Sequence, residues 1–190
     1  MVGDAGLFVA KLAMERLDSP ASQRQAILNL ERHLPDAYYL EFYLGRNLAE
    51  NDSPGEALPH LERAMTLSPD PEDMPYILSY QGLCLKDLGR YDEAIATLNR
   101  GCEVDDERPD LHNMLGFCFF KKGEHEEAIR HFTRAVELAP TSAIDYANLG
   151  VNYRKLGKND EAVKSFALAL SMDPGIEFAQ KHLDELTGQA

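Results

Sequence analysis

The chain has 190 residues, with 19 basic and 32 acidic side chains, a net charge of −13, and 44% apolar residues. Its length fits one large domain or two small ones, and its apolar share is ordinary for a globular protein. The net negative field disfavours DNA, RNA and anionic membranes as partners, leaving room only for a local basic patch.

Three cysteines make no disulfide framework, and no CxxC pair suggests zinc, so they read as buried thiols in a reducing compartment. No apolar run approaches the roughly 18 residues of a membrane span. The opening MVGDAGLFVAKLAMERL lacks a basic n-region and reads as an amphipathic helix, not a signal peptide. The expected location is cytoplasmic, unless a targeting segment precedes this sequence.

In chain order, Leu7, Ala10, Met14 and Leu17 recur at helical spacing. Residues 4–37 read as a degenerate unit, with Lys11 where later units carry glycine and Pro35 in the place of Pro69. Regular units follow at 38–71, 75–108, 109–142 and 143–176. Their second halves align as GEALPHLERAMTLSP, DEAIATLNRGCEVDD, EEAIRHFTRAVELAP and DEAVKSFALALSMDP, starting at Gly55, Asp92, Glu126 and Asp160. The steps are 37, 34 and 34 residues, and the same steps separate Gly45, Gly82, Gly116 and Gly150 upstream.

Each unit reads as two helices. In 109–142, Leu111, Leu115, Phe119 and the stem of Lys122 form one stripe. Gly123 stops the first helix, as Gly89 and Gly157 do in their units. Ala128, Ile129, Phe132, Ala135, Val136 and Leu138 form the stripe of the second helix, and Pro140 ends the unit. Asp52 and Ser53 replace the stop glycine in 38–71, where Ser53 and Glu56 have capping-box spacing. Gly45, Gly82, Gly116 and Gly150 lie inside helices, each at a cost of about 1 kcal/mol against alanine. That cost points to close approach of the paired helix, with Ala57, Ala94, Ala128 and Ala162 as the small residues opposite. Three irregularities follow. The junction from Pro69 to Pro75 holds the three extra residues, either as a longer turn or as a bend between units. Pro59 falls inside a helix. Asp173–Pro174 has N-cap and N1 chemistry, ahead of a final capping helix at 177–188 with Ile176, Ala179, Leu183 and Leu186 on one face.

The set Leu115, Gly116, Phe119, Ala128, Phe132, Ala135 and Pro140 recurs as Leu149, Gly150, Tyr153, Ala162, Phe166, Ala169 and Pro174. This pattern resembles the tetratricopeptide repeat (TPR) family. Earlier units depart from it, with Gln81 for Leu, Gly101 for Ala and Asp106 for Pro. The resemblance implies an all-α fold, a right-handed solenoid of antiparallel helix pairs spanning 1–190, whose first helices line a concave groove.

No catalytic constellation stands out. His125 and His131 lie six apart on a helix whose outer face should be charged, and they read as solvated surface, with no metal site. Cys84 and Cys118 occupy equivalent columns and read as core thiols. No cofactor is expected, and no enzyme site is found.

The groove columns hold Tyr39, Phe42, Arg46, Tyr76, Leu83, Lys86, Asn113, Phe117, Phe120, Lys121, Asn148, Val151, Arg154 and Lys155. Across twenty such positions there are five basic, three acidic and five aromatic side chains, against −13 for the chain. That surface suits a protein or peptide ligand with apolar anchors and some acidic character, Phe117 and Phe120 being the lead anchors. Lysines at helix ends are also favoured by the helix dipole alone. The resemblance adds a comparison: some TPR domains grip the acidic C-termini of heat-shock chaperones with a carboxylate clamp. Those columns here hold Phe42, Arg46, Tyr80, Asp110 and Met114, which keep one cation of the set. A protein-interaction scaffold is the reading, with a regulatory or substrate-presenting domain of a larger enzyme, or a self-associating module, as alternatives.

Overall fold

The computed structural model describes residues 2–17, 19–34, 36–67 and 69–188, with side chains from residue 6 onward. Pro35, assigned above to the degenerate unit, lies outside the described residues. The chain forms two compact units, Met1–Val104 and Asp105–Ala190. In the first unit, α1 (Val2–Arg16) and α2 (Pro20–Glu31) precede α3 (Tyr38–Glu50), α4 (Pro54–Thr66), α5 (Met74–Asp87) and α6 (Tyr91–Val104). The second holds α7 (Pro109–Lys122), α8 (His125–Leu138), α9 (Ala143–Lys155), α10 (Asn159–Met172) and α11 (Glu177–Thr187). The described residues are helix, turn or loop throughout, as an all-α fold requires.

Pairs α3–α4, α5–α6, α7–α8 and α9–α10 each pack as a hairpin. The turns use the expected chemistry: Gly89, Gly123 and Gly157 have positive φ values of 73°, 78° and 72°. Asp52 does the same work at φ 56°, a conformation Asp tolerates better than most residues. The capping box does not form, because Ser53 makes no side-chain cap bond and instead donates to the Asn51 carbonyl at 3.4 Å. The Asp173 reading is corrected too. Asp173 closes α10 and accepts from the Gly175 N–H at 2.8 Å, so the Pro174–Gly175 turn intervenes before α11 begins at Glu177.

The interior glycines are explained by contact. A methyl group at Gly45 or Gly82 would come within 2.6 or 2.3 Å of the side chains of Leu61 or Leu98. At Gly116 and Gly150 it would meet the rings of Phe132 and Phe166, at 2.9 and 2.6 Å. The opposing residue is thus a bulky one, four positions beyond Ala57, Ala94, Ala128 and Ala162, which are fully buried beside it. Gly150→Ala should therefore lower stability by about 1–2 kcal/mol, overpacking outweighing the propensity gain of about 1 kcal/mol. Gly55→Ala, with nothing within 4 Å, should instead raise stability. Urea unfolding of both variants checks the pair.

The degenerate unit differs from expectation in register. Ala10 is fully buried while Lys11 is exposed, so Lys11 does not occupy the glycine's place. Gln23 ties α1 and α2 to α3: its Nε2 donates to the Met14 and Leu17 carbonyls at 2.9 and 3.0 Å, and its Oε1 accepts from Asn47 at 2.8 Å. The extra residues before α5 form a turn at 71–73. The Tyr38 hydroxyl fastens it, reaching Asp70 at 2.9 Å and Asp73 at 2.7 Å. α4 continues through Pro59, which is exposed.

Candidate functional site

In the first unit, α3 and α5 carry the candidate residues, and packing takes two of them out of play. Tyr39 and Phe42 are only 8% and 9% exposed. Gly6 of α1 and Leu34 lie against the Tyr39 ring, and Phe42 packs edge-on to Tyr80 at 5.9 Å. Both aromatics therefore belong to the core, and neither can anchor a ligand without repacking. Tyr76 is half exposed. Leu83 is half-buried, and Lys86 pairs with Asp87 at 2.7 Å. Arg46 bonds Glu50 at 2.8 Å and lies over the Tyr80 ring. Tyr80 in turn donates to Glu50 at 2.6 Å, and burial together with that bond pushes its hydroxyl up to about 12. The cations of this face are thus largely neutralised in place.

The second unit is different. Phe117, Phe119 and Phe120 of α7 pack against a core of Ala128, Phe132, Val136 and Leu149. The Lys121 ammonium lies 5.2 Å from the Phe117 ring centre and 5.9 Å from that of Phe120, a cation–π arrangement. Asn113 donates to the buried Asp145, which holds it within the helix layer. A cleft of about 610 Å³ opens beside Phe120, with Val151, Arg154 and Lys155 from α9 and Phe178, Lys181, His182 and Glu185 from α11. A hollow of about 270 Å³ shares its wall and adds Asn148 and Asn152. Five candidate residues meet here: Phe120, Asn148, Val151, Arg154 and Lys155. Phe178 remains 40% exposed on the far wall.

Arg154 is fixed from two sides. It donates to His182 Nδ1 and pairs with Glu185 at 2.7 Å. The Arg154 bond holds the Glu185 carboxyl below its ordinary range. His182 stacks on Phe166 at 5.4 Å, and burial, then the Arg154 charge, hold its imidazole below its ordinary value. The α11 residues were missed because that helix read as a solvent-facing cap. The repeat step held the signal: Phe178 and His182 lie 34 residues after Ile144 and Asn148, so α11 repeats a first helix.

The histidines also depart from expectation. His131 is not solvated surface: it stacks on Phe119 at 5.4 Å and on His112 at 5.5 Å, with the two Nδ1 atoms 3.2 Å apart. Burial and the His112 charge lower its imidazole to about 4. His125 is tied to the buried Asn152 at 2.9 Å. The columns of His112 and His131 hold Glu41 and His60 in the first unit, where buried Glu41 meets His60 at 2.7 Å and Arg63 at 2.6 Å. Cys84 and Cys118 are fully buried, and burial raises the Cys84 thiol to about 11, far from a nucleophile's range.

Helix hairpins repeated at a fixed step, each presenting its first helix to a shared face, define a helical-repeat protein. Comparison with known families makes the class specific. The tetratricopeptide repeat matches residues 108–174, and a second TPR repeat pattern matches residues 82–123. The chain belongs to the tetratricopeptide repeat family. No curated protein sequence matches it. Among solved structures, MamA shares 20% identity at a TM-score of 0.77, covering 90% of this chain and 92% of its own. YrrB, described as a TPR protein with an unusual peptide-binding site, shares 19% at 0.76, covering 90% and 87%. The first TPR of Spaghetti (RPAP3), bound to the HSP90 peptide SRMEEVD, shares 24% at 0.60, covering 63% and 94%. At these identities the likeness is one of fold.

Proposed function

We propose that this chain is a protein-interaction scaffold without catalysis of its own, holding a peptide or protein segment on its first-helix faces. The observation that carries the reading is the second unit's cleft, where exposed Phe178 faces Phe120 across a wall edged by Arg154, Lys155 and Lys181. An aromatic-lined hollow with a cationic rim is the anatomy of a binding surface. The peptide-bound structure of RPAP3 and the peptide-binding site of YrrB support it by analogy of fold. The RPAP3 ligand itself is not carried over, since the clamp columns here hold Phe42, Arg46, Tyr80, Asp110 and Met114. A cytoplasmic location goes with this reading, as do the buried Cys84 and Cys118 thiols.

Phe117 and Phe120 pack against the core, so replacing both would disturb folding as well as binding. Phe178→Ala with Lys155→Glu is the cleaner test. Capture of bound proteins from extract, quantified by mass spectrometry, should fall about tenfold for specific partners, with unchanged circular dichroism. Full capture by a folded double variant would contradict the proposal.

A further inference from the structure

We propose that the cleft of α7, α9 and α11 takes an acidic segment in which one apolar side chain is directly flanked by carboxylates. The inference rests on the scaffold reading and names the ligand class of its site.

The floor is apolar: Phe120, Val151 and Phe178 converge on a cleft of about 610 Å³. Phe178 is left 40% exposed in the unoccupied surface, so an inserted side chain removes apolar area from water on both sides. The rim is cationic. Arg154, Lys155 and Lys181 face a single carboxylate, Glu185. Glu185 is already engaged by Arg154 at 2.7 Å, and the same guanidinium is held by His182. Lys155 and Lys181 have no carboxylate within pairing distance among the described residues. Lys121, 34 residues before Lys155, adds a third cation at the Phe120 edge and rests on aromatic faces instead of an acid.

This arrangement is unlike the chain's other first-helix cations. Arg46, Lys86 and Arg108 each meet a neighbouring carboxylate at 2.6–2.8 Å. In a chain of net charge −13, acids are plentiful, yet the cleft lysines sit without one. The C-terminal dipole of α9 offsets part of the Lys155 charge, but Lys181 lies in the middle of α11, where that effect has faded. Charge complementarity therefore selects carboxylates on both sides of the apolar anchor and rejects basic segments. Lys155 lies outside the family's clamp columns, so the grip differs from the chaperone clamp.

The test is a titration of the full 15N-labelled chain with three capped peptides: Gly-Glu-Asp-Phe-Asp-Glu-Gly, the same sequence with Gly for Phe, and Gly-Lys-Lys-Phe-Lys-Lys-Gly. The acidic Phe peptide should shift the resonances of Val151, Phe178 and His182. The other two should bind at least about tenfold more weakly. Lys155→Glu with Lys181→Glu, both at exposed positions, should weaken the acidic peptide about tenfold and invert the preference toward the basic one. Equal binding of acidic and basic peptides overturns the proposal, as does binding indifferent to the two substitutions. Shifts confined to α3 and α5 also overturn it, while leaving the scaffold reading standing. Absence of any shift overturns the cleft assignment, and the extract capture above then decides the scaffold reading by itself.

Discussion

Phe166→Ala will destabilise the protein by about 3–5 kcal/mol, at the severe end for a single substitution. Phe166 is fully buried and fills the space that Gly150 leaves open on the facing helix. Its cluster contains Ala147, Ala162, Ala169, Ile176 and Ala179. Most of these are alanines, which have no side chain to swing into a void, so the cavity left by the ring persists. A persistent cavity adds its own cost to the lost transfer energy. The ring also supports His182, stacked on it at 5.4 Å, and His182 in turn receives Arg154. The substitution should thus loosen the cleft as well as the core. Urea unfolding followed by circular dichroism measures the first effect. A loss below about 1 kcal/mol would mean that the helices close onto each other and that this packing account is wrong.

Acidification should weaken the fold, with His131 as an identifiable contributor. Its imidazole titrates near 4 in the folded chain, against an ordinary 6.5. Between those values the unfolded chain holds a proton that the folded chain does not, so stability rises with pH across the window and is lost as pH falls through it. The cause is the position of the ring between Phe119 and His112, with the Arg130 charge adding to the effect and Asp106 opposing it. Discounted for its partial exposure, the contribution is about 1–2 kcal/mol. His131→Phe, which keeps an aromatic ring on Phe119, should flatten the dependence of the urea midpoint between pH 7 and 4.5. His182 is shifted in the same direction and leaves a residual slope. Parallel pH dependences in wild type and variant would contradict the assignment.

The repeat itself was readable from spacing because each unit solves the same local problem. Gly89, Gly123 and Gly157 stop helices since only a left-handed residue can turn the chain there. Gly116 and Gly150 face large rings, so their cost in helix propensity marks a contact. What spacing could not carry was long-range. Tyr39 and Phe42 sit in groove columns by phase, yet Gly6, Leu34 and Tyr80 pack on them from elsewhere in the unit. His131 was misread for the same reason, since its burial depends on Phe119 and His112 across the hairpin.

GFCFFKKG, at Gly116–Gly123, shows both sides of this. Cys118 is core, as its repeat column requires. Phe119 is half-buried, and Phe117 and Phe120 pack on the core while offering faces to Lys121. Helical phase separated the roles, but the extent of burial came from neighbours. The contribution of α11 lay in the same repeat step that identified the other units, carried one helix further.

The central claim is that the second unit's cleft binds a peptide segment chosen by charge and an apolar anchor. Selection of a random dodecapeptide library on the immobilised protein tests it most directly. Sequences with an apolar residue flanked by Asp or Glu should be enriched. That enrichment should vanish on Phe178→Ala/Lys155→Glu/Lys181→Glu. Enrichment unchanged on the triple variant, or a library that stays unselected on the wild-type chain, would contradict the account.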